Sequence, residues 1–175
     1  MTYYVMRTNP IYNVPPVPIN WYGKINVDDI CKEQAYQIAD RQVLAIETRE
    51  NLIWVDMIDQ PFPLVNEVIK DVMRLYIPTL KSKQVILLDS QQEQMNRYFI
   101  PILPRCCADF KIEQGGANKF LVDLQKYIWI PDTDAFYVQD SYGKLHVLIS
   151  LSMAESILRR QAKGIWLEEI EIEKE

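Results

Sequence analysis

This sequence predicts an α+β fold, mainly antiparallel sheet with two principal helices near residues 64–77 and 152–163. Three observations carry that prediction. Two segments place apolar residues at helical spacing behind recognisable caps, and several short runs are alternating or continuously apolar, as strands are. Ten Pro and ten Tyr against only five Gly suit many short strands better than a helix bundle or a glycine-dependent nucleotide fold.

Residues 3–8 alternate aromatic, apolar and polar side chains and read as the first strand. Pro10, Pro15, Pro16 and Pro18 then remove backbone donors, so residues 9–21 should form an ordered loop. Its Ile11, Tyr12, Val14, Val17, Ile19 and Trp21 make it apolar enough to lie across the body of the protein. A short helical turn is expected over 28–37, capped by Asp28 or Asp29. Val43, Leu44, Ala45 and Ile46 form the continuous apolar run of a strand, 42–48, buried on both faces, and another extended piece follows at 53–58. Asn66 can cap a helix with Val65, Val68, Ile69, Val72, Met73 and Tyr76 on its apolar face, and Pro78 limits its extension.

Residues 85–89 and 98–103 read as a hairpin around the polar stretch 90–97, with Pro101 confined to an edge or a bulge. Gly115 and Gly116 mark an exposed connection over 104–118, and 120–124 and 127–130 are short extended candidates. A second hairpin joins 136–139 to 145–150 through Asp140, Ser141, Tyr142 and Gly143. The unit with the clearest internal logic is 144–173, read as strand, helix, strand. Leu145, Val147 and Ile149 alternate; Ser152 and Glu155 have capping-box spacing; Ala154, Ile157, Leu158 and Ala162 share one face. Arg159, Arg160 and Lys163 complement the helix dipole, and Gly164 is placed to end the helix in a left-handed conformation. One domain over 1–175 is expected, with two lobes dividing near 78–82 as the alternative.

A formal charge of −5 and a pI near 5.0 argue against broad nucleic-acid binding, for which a basic surface supplies most of the affinity. The same charge suits a basic partner. No apolar run approaches the roughly 20 residues that span a bilayer, so no membrane association is expected. The first twelve residues do not resemble a signal peptide. Three cysteines, Cys31, Cys106 and Cys107, two of them adjacent, point to a reducing, cytoplasmic setting.

His146 is the single histidine and lies within a predicted strand, where a structural role is expected. Cys106 and Cys107 lack the two-residue spacer of redox and zinc pairs, and Gly115 and Gly116 precede no phosphate-binding helix. The acids Asp56, Asp59, Asp89, Asp132, Asp134 and Asp140 show no spacing that fixes a catalytic pair. No catalytic residue, cofactor or metal ligand is therefore assigned. Arg159 and Arg160 could bind an anion, but the helix end already accounts for them. What stands out is a set of interface anchors. Among the large aromatics Tyr12, Trp21, Tyr22, Trp54, Trp129 and Trp166, the partner-binding candidates are Trp21, Tyr22 and Trp166. Glu168, Glu169 and Glu171 join them, in an acidic terminal strand that could shield a sheet edge or meet a basic partner.

Three stretches carry a resemblance. They are Ile19-Asn20-Trp21-Tyr22-Gly23-Lys24-Ile25; Pro63-Leu64-Val65-Asn66-Glu67-Val68-Ile69 with Val85-Ile86-Leu87-Leu88-Asp89 and Tyr98-Phe99-Ile100-Pro101-Ile102; and Ala154-Glu155-Ser156-Ile157-Leu158-Arg159-Arg160 with Gly164-Ile165. Their order resembles the immunity protein 11 (DUF1629) family of bacterial polymorphic-toxin immunity proteins, with Asn66 where the family pattern suggests a serine cap. That resemblance implies a cytoplasmic, non-enzymatic protein that binds and occludes a cognate protein toxin. The rival expectation is a small ligand-binding regulator or enzyme with a site built from dispersed acids and aromatics.

Overall fold

The structure, a computed structural model, describes residues 2–112, 118–122 and 132–174. Among these residues are two helices, α1 (Glu67–Tyr76) and α2 (Leu151–Arg159), and two sheets. The strands are β1 (Thr2–Thr8), β2 (Arg41–Ala45), β3 (Met57–Ile58), β4 (Leu64–Val65), β5 (Lys81–Asp89) and β6 (Gln94–Ile102). They continue with β7 (Arg105–Cys107), β8 (Asp109–Ile112), β9 (Asn118–Val122), β10 (Ala135–Gln139), β11 (Leu145–Ser150) and β12 (Ile165–Lys174). A seven-stranded sheet runs β7-β10-β11-β1-β12-β9-β8, and a five-stranded sheet runs β2-β5-β6-β4-β3. Pairing is antiparallel except at β2/β5, β7/β10 and β9/β12, so the predicted α+β, mainly antiparallel class is the observed one.

Ala108 alone separates β7 from β8, the two ends of the larger sheet. With about 3.8 Å per Cα step, their adjoining ends lie within roughly 8 Å of each other, and the sheet must roll. Its inner side holds Val5, Phe136, Val138 and Leu148, all without exposed surface, together with Tyr3, Cys106, Ala108 and Ile170. Tyr3 meets Phe136 edge-on at 5.0 Å. Alternation sends the intervening residues Met6, Tyr137, Val147 and Ile149 to the other side. There they share a larger core with Ile69 and Met73 of α1, Ile157 of α2, and Leu64, Val85, Leu87 and Ile100 of the second sheet. β5 and β6 pair with β2 and β4, so the smaller sheet spans positions 78–82. No helix among the described residues is long and apolar enough to cross a membrane.

Local rules hold in several places. Asn66 caps α1, its Oδ1 accepting from the Ile69 N–H at 3.0 Å, and Ile69, Val72 and Met73 are buried as expected. The hairpin of β10 and β11 has the predicted connection, with Gly143 at φ +83°. The 9–21 loop does lie on the body, where Pro18 bridges to Ile46 and Tyr12 and Trp21 pack on the core.

Other expectations need correction. The first helix begins at Glu67, not near 64, because Leu64 and Val65 are claimed by β3 and β6; Val68 is largely exposed. The second helix begins one residue before the predicted 152 and ends at Arg159. Its cap is Ser150, whose Oγ accepts from the Met153 N–H at 3.3 Å, so the Ser152/Glu155 box is not used, and Leu158 faces solvent. Gln161 takes the left-handed turn after this helix, at φ +55°, ahead of Gly164. β2 is an edge strand with Val43 48% exposed, so it is not buried on both faces. In the first hairpin, pairing runs on through Gln94, Met95, Asn96 and Arg97, all exposed at the open end of the ladder. The 28–37 segment forms two 3₁₀ turns, the first capped by Asn26 and not by Asp28 or Asp29. Of the extended piece 53–58, only Met57–Ile58 is a strand. Gly115, Gly116, Trp129 and the candidate at 127–130 lie outside the described residues.

Candidate functional site

The loop carrying Trp21 and Tyr22 is pinned to both sheets. At its start, Asn20 Oδ1 accepts from the Ala45 N–H of β2 at 2.7 Å. A tight turn follows, in which the Trp21 carbonyl accepts from Lys24 N at 3.0 Å and Ile25 N at 3.1 Å, and Gly23 supplies the required φ of +79°. Ile25 and Ile30 plug into the core. At the far end, Arg105 Nη1 of β7 donates to the Asp28 carbonyl at 3.1 Å, and Gln139 Nε2 of β10 donates to the Asp28 carboxylate at 3.1 Å.

This anchoring holds open a cleft of about 490 Å³ with Trp21, Tyr22, Lys24, Asn26, Asp28 and Asp29 in its lining. Trp21 is half-buried, edge-on to Phe62 at 5.8 Å and to Tyr22 at 5.7 Å, while Tyr22 is 88% exposed. A fixed indole thus supports an open phenol ring beside two carboxylates. Such a lip can receive a cation, which gains from both the ring face and the negative charge.

Trp166, Glu168, Glu169 and Glu171 lie elsewhere, on β12. The loop touches β10, and β11 and β1 lie between β10 and β12, which puts β12 about 14 Å further along the sheet. Nor do the four residues form one patch. The register sets Trp166 opposite Arg7 and Glu168 opposite Val5 on the inner side, and Glu169 opposite Tyr4 on the outer. Glu168 is half-buried and accepts from Arg7 Nη1 at 3.4 Å, whereas Trp166, Glu169 and Glu171 are exposed. β9 flanks β12 only from Ile170 to Lys174, so Glu171 sits inside the sheet, while Glu168 and Glu169 lie on the stretch that, among the described residues, pairs with β1 alone.

Two arrangements escaped the reading of the sequence. His146 Nε2 meets Asp140 Oδ2 at 2.8 Å, and the Asp140 Oδ1 also accepts from the Tyr142 and Lys144 N–H groups. Burial pushes the imidazole below its ordinary pKa, against the opposing pull of Asp140. Burial works to raise the Asp140 carboxyl, but hydrogen bonds from His146 and the turn bring it below the usual carboxylate range. The hairpin offset between residues 140 and 146 was the available signal. The second arrangement is a cleft of about 770 Å³ lined by Lys32, Lys81 and Lys83. It was hidden because the predicted strand began at Val85. The described residues contain no cluster of three or more His, Cys, Asp or Glu arranged to hold a metal ion.

No protein-family model matches the sequence, and no curated protein matches it closely enough to count as a relative.

Proposed function

We propose that this protein is an immunity-type binding protein that neutralises a cognate bacterial toxin by direct occlusion in the cytoplasm. The observation that carries the reading is the Trp21–Tyr22 lip. An exposed aromatic held by a buried one, on a loop tied to two sheets, costs little ordering entropy when a partner docks. Asp28 and Asp29 beside it, in a chain of formal charge −5, favour a basic contact face with an arginine or lysine entering the cleft. Exposed Glu169 and Glu171 add long-range attraction and not a second anchor.

Co-expression with the toxin encoded by the neighbouring gene should protect cells, and the two products should copurify. Tyr22→Ala should weaken the complex by about 2 kcal/mol, close to thirtyfold in Kd. Reversing Glu169 to Lys should mainly slow association at low salt. Protection without any isolable complex would sink occlusion, and an unchanged Kd in Tyr22→Ala would move the contact face away from this loop.

A further inference from the structure

At one end of the five-stranded sheet the apolar pattern breaks. The side of β5 that sends Val85 and Leu87 into the core begins with Lys81 and Lys83. The β6 residues opposite these lysines are Ile102 and Ile100, both buried. Lysine at core-facing positions forfeits packing, and such local departures from pattern concentrate at functional sites.

Both lysines line the cleft of about 770 Å³, with Lys32, Tyr36, Thr79 and Ser82 around it and Ala35 and Ile102 as its buried floor. That volume lies within the range of small-ligand sites. Its charge opposes that of the whole chain, since three lysines face one acid, Asp40. Lys83 Nζ donates to Asp40 Oδ1 at 2.7 Å, its side chain only 12% exposed while that of Asp40 is 91% exposed. Asp40 thus holds the ammonium at the rim, and an ammonium has three donors where this bond uses one. Thr79 adds a hydroxyl, and Tyr36, 79% exposed, presents an open ring on the wall.

We propose that this cleft binds a small phosphate monoester carrying a planar ring. Lys32, Lys81 and Lys83 take the dianionic phosphate, with the Thr79 hydroxyl beside it, and Tyr36 stacks on the ring. Several ammonium groups around a net positive cleft match a dianion better than a single carboxylate. This site shares no lining residue with the Trp21–Tyr22 cleft and stands independently of toxin binding.

The test is calorimetric titration of the full chain with adenosine 5′-monophosphate, inorganic phosphate and adenosine. Saturable binding of the nucleotide that weakens with salt, weaker competition by phosphate and no binding of adenosine are expected. Lys81→Gln and Lys83→Gln should each lower affinity roughly ten- to a hundredfold without changing the circular dichroism spectrum. Lys81 is the more exposed of the two, so its variant decides if Lys83→Gln folds poorly. Tyr36→Ala should weaken the nucleotide and leave phosphate unchanged. Absence of binding by both nucleotide and phosphate overturns the proposal, as does unchanged affinity in Lys81→Gln or equal binding of adenosine. Equal losses for nucleotide and phosphate in Tyr36→Ala overturn the assignment of the ring.

Discussion

The hydroxyl of Tyr137, on β10 of the rolled sheet, donates to the Pro101 carbonyl of β6 at 2.6 Å, inside the core. One buried bond therefore ties the two sheets together. With no exposed surface on Tyr137, burial holds its hydroxyl well above its ordinary pKa and so neutral. Tyr137→Phe keeps the ring but leaves the Pro101 carbonyl without this donor where water cannot readily replace it. The expected loss is about 1–3 kcal/mol, read as a lower urea midpoint with unchanged slope. A loss under about 0.5 kcal/mol would mean that the carbonyl finds another donor.

His146 is the chain's one histidine, so its imidazole titration by NMR is read without assignment. Its pKa should fall below the ordinary value, because burial, with Arg7 and Lys144 adding to it, outweighs the Asp140 hydrogen bond. A histidine held low by folding binds its proton more readily in the unfolded chain. Its contribution is therefore complete above about pH 6.5 and is lost as pH falls towards the folded value. Asp140, also held low, loses its contribution only in the more acid range below ordinary carboxylate values. Urea midpoints should drop between about pH 7.5 and pH 5.5, and His146→Asn should flatten that drop. A titration above the ordinary value would show that the Asp140 pair dominates instead.

What could be read from the sequence was what short-range chemistry decides. Asn66 caps α1 because a cap needs only its own side chain and an N–H three residues on. For α2 the local spacing points to Ser152, but β11 pairs up to Ser150 and the helix starts directly after it, so Ser150 is the cap. The acidic pattern of the terminal strand is blind to neighbours; β9 pairs with its Ile170–Lys174 half and makes that half interior to the sheet. The rolling of the sheet rests on β7 and β8 meeting at Ala108, a relation between distant pairings with no local signature. At the candidate site, Trp21 and Tyr22 were visible as aromatics in an irregular loop. Asp28, whose contacts to Arg105 and Gln139 span far more sequence, was noticed only as a helix cap.

Gly164 shows how a residue can be singled out for one reason and be needed for another. It sits after α2 at φ +74°, and its carbonyl accepts from the Asn9 N–H at 2.8 Å. Next to it, Lys163 N donates to Asp56 Oδ2 at 2.6 Å, and Asp56 N donates back to the Lys163 carbonyl at 2.8 Å. This clamp presses the turn against Val55, where a Cβ on Gly164 would fall within the Val55 side chain. Gly164→Ala therefore meets two costs, the left-handed backbone and the overpacking, together about 2–4 kcal/mol. Gly143 separates them, since at φ +83° the nearest atom to an added Cβ is Gln139 Nε2 at 3.9 Å. Gly143→Ala should cost only the backbone part, about 1 kcal/mol. In the Gly164→Ala background, Val55→Ala should be less destabilising than in the wild type, and a double-mutant cycle measures that difference. Equal costs for the two glycine variants would show that Val55 yields freely and that close packing is not what requires glycine at 164.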